Sequence, residues 1–261
     1  MDLTVLGCSG SGPRPDSPSS AYLVRFNDRT LVLDLGNGTL GALLRYLDPF
    51  KLDGLLLSHL HPDHCADVAS LVVYRRYHPR PPYAPTENRL PVFGPAETAT
   101  RLTAQYATCA GERATEDLRD VLDFQVIGDA TALEFGGASV TTRRTVHPCE
   151  AYATRIEYGG RSLVYSGDTG ACESLIELSR DVDVLLCEAS WTHGDPVDDP
   201  RPPGIHLSGR EAGEHATAAR ARRLLITHVP VWYDAAEILA EAKSAYDGPV
   251  ELVSAGGHYA I

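Results

Sequence analysis

Residues 55–67 read LLLSHLHPDHCAD, placing His59, His61, Asp63 and His64 within six positions at the end of an apolar run. In an extended segment side chains alternate, so His59 and His61 project to one face. Pro62 ends that segment, and Asp63 and His64 then enter a helix and point elsewhere. One short piece therefore offers two ligand sets directed at neighbouring points. Imidazole and carboxylate are natural ligands for zinc and similar divalent ions, and so dense a group, broken by a proline, is hard to explain as packing. Three further polar groups follow in RRTVHP (His147), YSGDTG (Asp168) and LLITHVP (His228). Each lies just past an apolar β-type run, where α/β folds gather their sites. Together they predict a centre for two divalent metal ions, with zinc, manganese and iron all suited to N/O ligands.

The elements that must position these groups alternate between strand and helix. TVLG (4–7), AYLVRF (21–26) and TLVLDL (30–35) read as strands, the last two joined by a turn-rich hairpin. GTLGALLRYL (38–47) has helical spacing. DGLLLSH (53–59) is nearly all apolar, as a strand buried on both faces would be, and a helix is expected from about 63 to 77. The Pro-rich stretch 78–91 reads as a surface loop or lid. A strand at PVFGP (91–95) and a helix to about Cys109 follow. YATRIEY, Gly159-Gly160 and RSLVYSG signal a second hairpin. DVDVLLCEA (181–189) and RRLLITHV (222–229) are further strands, and Ser208 to Glu211 forms a capping box opening a helix to about Arg220. A last helix (234–246) precedes GPVELVS (248–254). Strands come first in each half and strand–helix units after them.

The ordered set H-x-H-x-D-H, His147, Asp168 and His228 resembles the metallo-β-lactamase superfamily over essentially the whole chain. That resemblance implies one α/β domain over 1–261, an αββα sandwich with a di-metal site at one edge of the two sheets. It implies one metal on His59, His61 and His147, another on Asp63, His64 and His228, and Asp168 as the bridge. LLCEASWTH (185–193) and HLSGREAGEHA (206–216) resemble the RNase Z branch, in which a Glu after a strand supports a His that assists the phosphodiester leaving group. The matching residues are Glu188 and His206. GCSGS, SHLHPDHCAD, RRYHP, YSGDTG and the final TH-x-P are, with these blocks, similar to the mycobacterial-type atypical class II cyclic-nucleotide phosphodiesterases. The implied reaction is hydrolysis of 3′,5′-cyclic AMP to 5′-AMP by a metal-activated hydroxide that Asp63 orients. A homodimer is implied as well. The alternatives are an RNase Z-like endonuclease or other phosphodiesterase, and a lactone or thioester hydrolase.

Composition narrows the partners. The formal charge of −12, from 35 acids against 23 Lys and Arg, repels polyanions but permits a small anion held by metal. His147 and Asp168 stand only 21 residues apart, which a hairpin fills, so the long tRNA-gripping arm expected there in bacterial RNase Z has no room. A small phosphodiester is thus the expected substrate, and tRNA is disfavoured. Six cysteines without a C-x-x-C pair, an N-terminus without a signal-peptide pattern and no membrane-length apolar run point to a cytoplasmic protein. Gly36 to Gly41 satisfies G-x-G-x-x-G but reads as a strand-to-helix turn, with Asp34 before it as a possible support for a metal ligand. Tyr74, Arg75, Arg76 and Tyr77 form a basic-aromatic patch, either a phosphate- or base-binding surface or a solvated helix face. His193 either faces substrate or is exposed, and His78, His215 and His258 default to the surface.

Overall fold

The computed structural model describes residues 1–194 and 202–261; segment 195–201 of the turn-rich stretch after Trp191 lies outside the described residues. In chain order the first half forms β1 (Asp2–Gly7), β2 (Ser9–Gly10), β3 (Ala21–Phe26), β4 (Arg29–Leu33), α1 (Thr39–Leu43), β5 (Gly54–Leu56), α2 (Pro62–Cys65), α3 (Val68–Tyr77), β6 (Leu90–Gly94), α4 (Thr98–Tyr106), α5 (Ala110–Arg113) and β7 (Leu122–Val126). The second half forms β8 (Ala132–Phe135), β9 (Ala138–Arg144), β10 (Tyr152–Tyr158), β11 (Arg161–Tyr165), α6 (Glu173–Leu178), β12 (Val184–Glu188), α7 (Gly209–Ala219), β13 (Leu224–Thr227), β14 (Val229–Pro230), α8 (Ala235–Ala245), β15 (Val250–Leu252) and β16 (His258–Ala260).

Among the described residues the strands make two seven-stranded sheets, ordered β16-β1-β3-β4-β5-β6-β7 and β15-β13-β12-β11-β10-β9-β8, and a two-stranded one, β14-β2. Period-two alternation stacks the two large sheets. Leu3, Val5, Tyr22, Val24, Leu31, Leu33 and Leu56 of the first sheet meet Val140, Ile156, Leu163, Tyr165, Val184 and Leu186 of the second. The opposite side chains of the first sheet, Leu23, Val32 and Leu55 among them, pack on Leu40, Leu43, Leu71, Val72 and Leu102 of α1, α3 and α4. Those of the second, such as Val164, Leu185 and Ile226, pack on Leu175, Ala212 and Ile238 of α6, α7 and α8. The result is the αββα sandwich. Strands read as almost wholly apolar are so because both their faces are covered.

The hairpin at 159–160 forms as expected. Both glycines have positive φ (60° and 73°), as a two-residue type I′ turn requires, and Tyr158 pairs with Arg161. Helix bounds differ more. The 63–77 helix is two pieces, because Asp67 serves a neighbour: its N–H donates to the Leu35 carbonyl and its carboxylate accepts the Leu40 N–H at the start of α1. The chain must jog there. The 38–47 helix stops at Leu43, and the helix expected to reach Cys109 turns extended at Ala107. The Pro-rich loop is no lid on the ligand cluster. β5 and β6 run parallel, with Leu55 beside Val92, so a loop entering β6 lies at the edge opposite His59. His215 is buried rather than superficial, its Nε2 accepting the Cys172 N–H at 3.1 Å. The basic-aromatic patch divides: Arg76 is paired with Glu116 and Asp120, both at 2.7 Å, Tyr77 is exposed, and Arg75 is buried and turned to a cavity beneath the Pro-rich loop. All six cysteines are free, and no helix among the described residues is long and apolar enough to cross a membrane.

The G-x-G-x-x-G stretch packs against the ligand turn. Leu35 N–H donates to the His64 carbonyl and Ser20 N–H to the Asp63 carbonyl, and a Cβ on Gly36 would lie 1.9 Å from that Asp63 oxygen. Gly41, inside α1, has nothing within 4 Å of its Cβ position. Gly36→Ala is therefore expected to cost several kcal/mol, whereas Gly41→Ala should stabilise by about 0.5–1 kcal/mol. Urea unfolding of the two variants checks this; a similar small effect in both would show that the turn tolerates a side chain.

Candidate metal centre

The ligand groups converge at the carboxyl ends of the strands. Leu57 N–H donates to the Phe93 carbonyl just past β5, and the chain then turns through Ser58 so that His59 is carried into the interior. Pro62 opens α2, whose first turn presents Asp63 and His64. His147 follows β9, Asp168 follows β11 in a turn allowed by Gly167 (φ 57°), and His228 joins β13 to β14. The GCSGS motif supports the last of these: β2 pairs with β14, and a Cβ on Gly10 would meet the His228 carbonyl at 2.3 Å. Asp34 and His228, neither a glycine, both hold left-handed backbone with φ 59°. Such conformations persist where the surroundings over-determine them.

Four overlapping groups of donor atoms result among the described residues, each confined within 4.8 Å: His59, His61, His147 and Cys149 in the first, Asp63, His64, Asp168 and His228 in the second, and two that include His206, with His147 and Asp168 or with Glu188 and His228. In the first, His59 Nε2 lies 3.0 Å from His61 Nδ1, which lies 3.2 Å from His147 Nε2. In the second, His64 Nε2 and His228 Nε2 are 3.1 Å apart. Two nitrogens each bound at 2.0–2.1 Å in a tetrahedral site stand about 3.3 Å apart, so these spacings suit shared cations. Asp168 spans the first two groups. Its Oδ1 is 3.2 Å from His64 Nε2 and its Oδ2 is 3.6 Å from His59 Nε2. Oδ1 is buried without a hydrogen-bond donor, the orphaned lone pair that a cation would satisfy. The seven residues named from the sequence are thus brought together, and their chemistry fits a divalent pair.

The outward nitrogens are held by the protein. His64 Nδ1 donates to Asp34 Oδ2 at 2.7 Å, and His147 Nδ1 donates to the Ile205 carbonyl at 2.9 Å. Ser58 Oγ donates to Asp34 and accepts from His59 Nδ1 at 3.1 Å. Ser190 Oγ donates to Glu188 Oε2 and accepts from His228 Nδ1, each at 2.7 Å. Each contact fixes the tautomer that leaves Nε2 free for metal. Burial first, and neighbouring imidazoles after it, push His59 and His61 below the usual histidine range; burial does the same for His147. Burial alone would raise Asp63 and Asp168, but the adjacent histidines hold both carboxylates well below their usual range. His64 is raised against its own burial because Asp168, Asp34 and Asp63 surround it. Those carboxylates call for positive charge where a metal would supply it.

His206 stands beside the cluster, its ring 5.5 Å from those of His147, Trp191 and His228. Its Nδ1 donates to Glu188 Oε1 at 2.9 Å, and the buried Glu188 also accepts the Thr169 N–H at 2.6 Å. Burial presses His206 down, but Glu188 outweighs it and lifts the imidazole to about 9. Residue by residue, Glu188 and His206 meet as expected, and Asp34 supports His64. His193 neither reaches the cluster nor stands free: its Nδ1 is 3.0 Å from Ser208 Oγ and its N–H donates to Glu241. Ser190, Ser58, Tyr165 and Cys149 were not singled out from the sequence. Alternation could have found Ser190, two positions past Glu188; nothing local marks the other three.

The family model for the beta-lactamase superfamily domain matches residues 29–229. An uncharacterized protein of Mycobacterium leprae is 47% identical over 99% of this chain and 88% of its own. A probable metallo-hydrolase of Bacillus subtilis, YhfI, is 30% identical over 98% of both chains. The crystal structure of that metallo-beta-lactamase fold protein superposes with a TM-score of 0.82 over 99% of this chain and 98% of its own, at 27% identity. Human tRNase Z, short form, shares the fold with a TM-score of 0.73 at 19% identity, over 100% of this chain and 99% of its own.

Two outcomes are expected for the metal. Asp168→Ala removes the shared carboxylate and should abolish stoichiometric metal, read by elemental analysis of purified protein. Asp34→Asn touches no ligand atom, yet should weaken affinity about 10–100-fold, because the amide no longer fixes His64. Competition with a chromophoric chelator measures this, and an unchanged affinity would refute the orienting role.

Proposed function

The chain belongs to the metallo-β-lactamase superfamily, and from that premise we propose that it is a two-metal phosphodiesterase acting on small phosphodiesters, 3′,5′-cyclic AMP first among them. The observation that carries this is the Glu188–His206 pair beside the ligand cluster. Ring opening of a cyclic phosphodiester expels a poor alkoxide leaving group, which a positioned acid must protonate. His206 offers a proton from Nε2 while Glu188 holds Nδ1. A thioester, which expels a thiolate, demands less of such an acid. Two divalent ions held by the seven ligands would neutralise phosphoryl charge and supply an acidified water. Asp63, kept ionised by His64 and His228, is placed to orient that water.

The segment between His147 and Asp168 favours a small substrate. It forms the β10–β11 hairpin, which offers no arm for a folded RNA. The acidic charge of the chain supports the same preference for a small ligand. Zinc suits the imidazole-rich first group. A homodimer belongs to the same proposal.

Metal-loaded wild type is expected to convert cyclic AMP to 5′-AMP, with products separated chromatographically. His206→Ala should keep its metal and lose turnover by about 10²–10⁴-fold. A general acid must be protonated, so the wild-type rate should fall as pH rises through the His206 pKa. Two dications nearby would draw that pKa down from its metal-free value. His206→Ala should lack this alkaline fall. If loaded wild type hydrolyses other esters and leaves cyclic AMP intact, the substrate proposal fails. If the variant turns over normally, the acid role fails.

A further inference from the structure

A cavity lies at the edge of the first sheet opposite the metal centre, where β4, β5 and β6 begin. It has a volume of about 360 Å³, and Arg29, Lys51, Arg75 and Arg89 line it together with Asp53 and the rings of Phe50, Tyr83 and Phe135. Four cations against one carboxylate is an unusual lining in a chain of formal charge −12. The Pro-rich loop forms one wall: Tyr83 hydroxyl donates to the Phe50 carbonyl at 2.6 Å, and Arg75 donates to the Asn88 carbonyl at 2.7 Å. Arg75 sits in the last turn of α3, about 10 Å along the helix from its first residue, Val68, and so lies away from the ligand turn in α2.

Arg75 decides what the cavity is for. The residue is 1% exposed and has no carboxylate partner among the described residues. Its guanidinium meets one carbonyl, the Tyr83 hydroxyl at 3.4 Å, and the Phe50 and Tyr83 rings at 5.4 and 5.9 Å. Its Nε is buried and donates to nothing. A buried cation without an anion is costly, and the donor-rich guanidinium fork is best satisfied by an oxyanion. Of the other cations, Arg29 is neutralised by Asp53 at 2.9 Å and Asp28 at 3.7 Å, whereas Arg89 is 4.0 Å from Asp123 and Lys51 has no ion pair among the described residues.

We infer that this cavity is a second ligand site, separate from the metal centre, for a small phosphate-bearing molecule. Arg75 and Arg89 supply forked donors to the phosphate, Lys51 adds charge, and the aromatic walls accommodate whatever the phosphate is attached to. The volume is at the small end for a ligand pocket, which suits a phosphate carrying one modest organic group. The inference does not depend on the reaction at the metal centre.

The test is calorimetric titration of the metal-loaded full chain with inorganic phosphate and, separately, with 5′-AMP. Lys51→Glu combined with Arg89→Glu changes two exposed side chains and should leave metal content and turnover intact. It is expected to weaken the remote binding event at least roughly tenfold, the loss of about one charge-assisted contact. Arg75→Lys, which keeps charge but loses the fork, should weaken it as well. Tighter binding of 5′-AMP than of phosphate in wild type assigns the site to an organic ester; equal binding assigns it to inorganic phosphate. Identical titrations of wild type and the double variant with both probes would overturn the proposal.

Discussion

One buried carboxylate organises the first half of the molecule. Asp34 is fully buried and accepts four hydrogen bonds: from Ser58 N–H at 2.7 Å, Ser58 Oγ at 2.7 Å, His64 Nδ1 at 2.7 Å and the Tyr165 hydroxyl at 2.6 Å. A charge removed from water is tolerated only when so completely paired. Its donors come from the turn after β5, from α2 and from β11 in the other sheet. Satisfying it therefore sets the spacing of the two sheets at their carboxyl edge and aims two ligands at once. The left-handed backbone of Asp34 is held by the same contacts.

Glu188 plays the corresponding part on the second sheet. Thr169 N–H, His206 and Ser190 all donate to it, and Ser190 passes the constraint on to His228. Each sheet thus ends in a buried carboxylate that positions imidazoles it does not share with the other. The Tyr22 and Tyr165 rings pack 4.9 Å apart between them, and Tyr22 is hydrogen-bonded to Thr227 just before His228. The ligand cluster is accordingly preorganised by the protein, which lets binding energy act on the ion and the substrate rather than on ordering side chains.

The two ends of the first sheet differ in character. At the carboxyl ends, acids and imidazoles converge on a place for cations. At the amino ends, arginines and a lysine converge on a place for an anion. Parallel strands separate the two by their own length, and the long α3 joins them, so one chain carries two sites of opposite charge without either screening the other.

The sequence by itself determined the ligand set, because ligand chemistry and strand periodicity are local: His59, His61, Asp63 and His64 follow one apolar run, and His147, Asp168 and His228 each follow another. It also carried the layer architecture through its apolar alternation and the hairpin through Gly159-Gly160. Helix ends were less legible, since Asp67 interrupts a helix in order to serve residues more than twenty positions away. Only the tertiary structure decided that Tyr165 completes Asp34 across 131 residues, that Cys149 stands among three histidines, and that the Pro-rich loop walls a distant cavity instead of covering the metal centre. Such contacts join groups whose types are ordinary and whose separation along the chain is large. Their partners are chosen by packing and by the need to pair every buried charge, and neither leaves a mark in the spacing of residues.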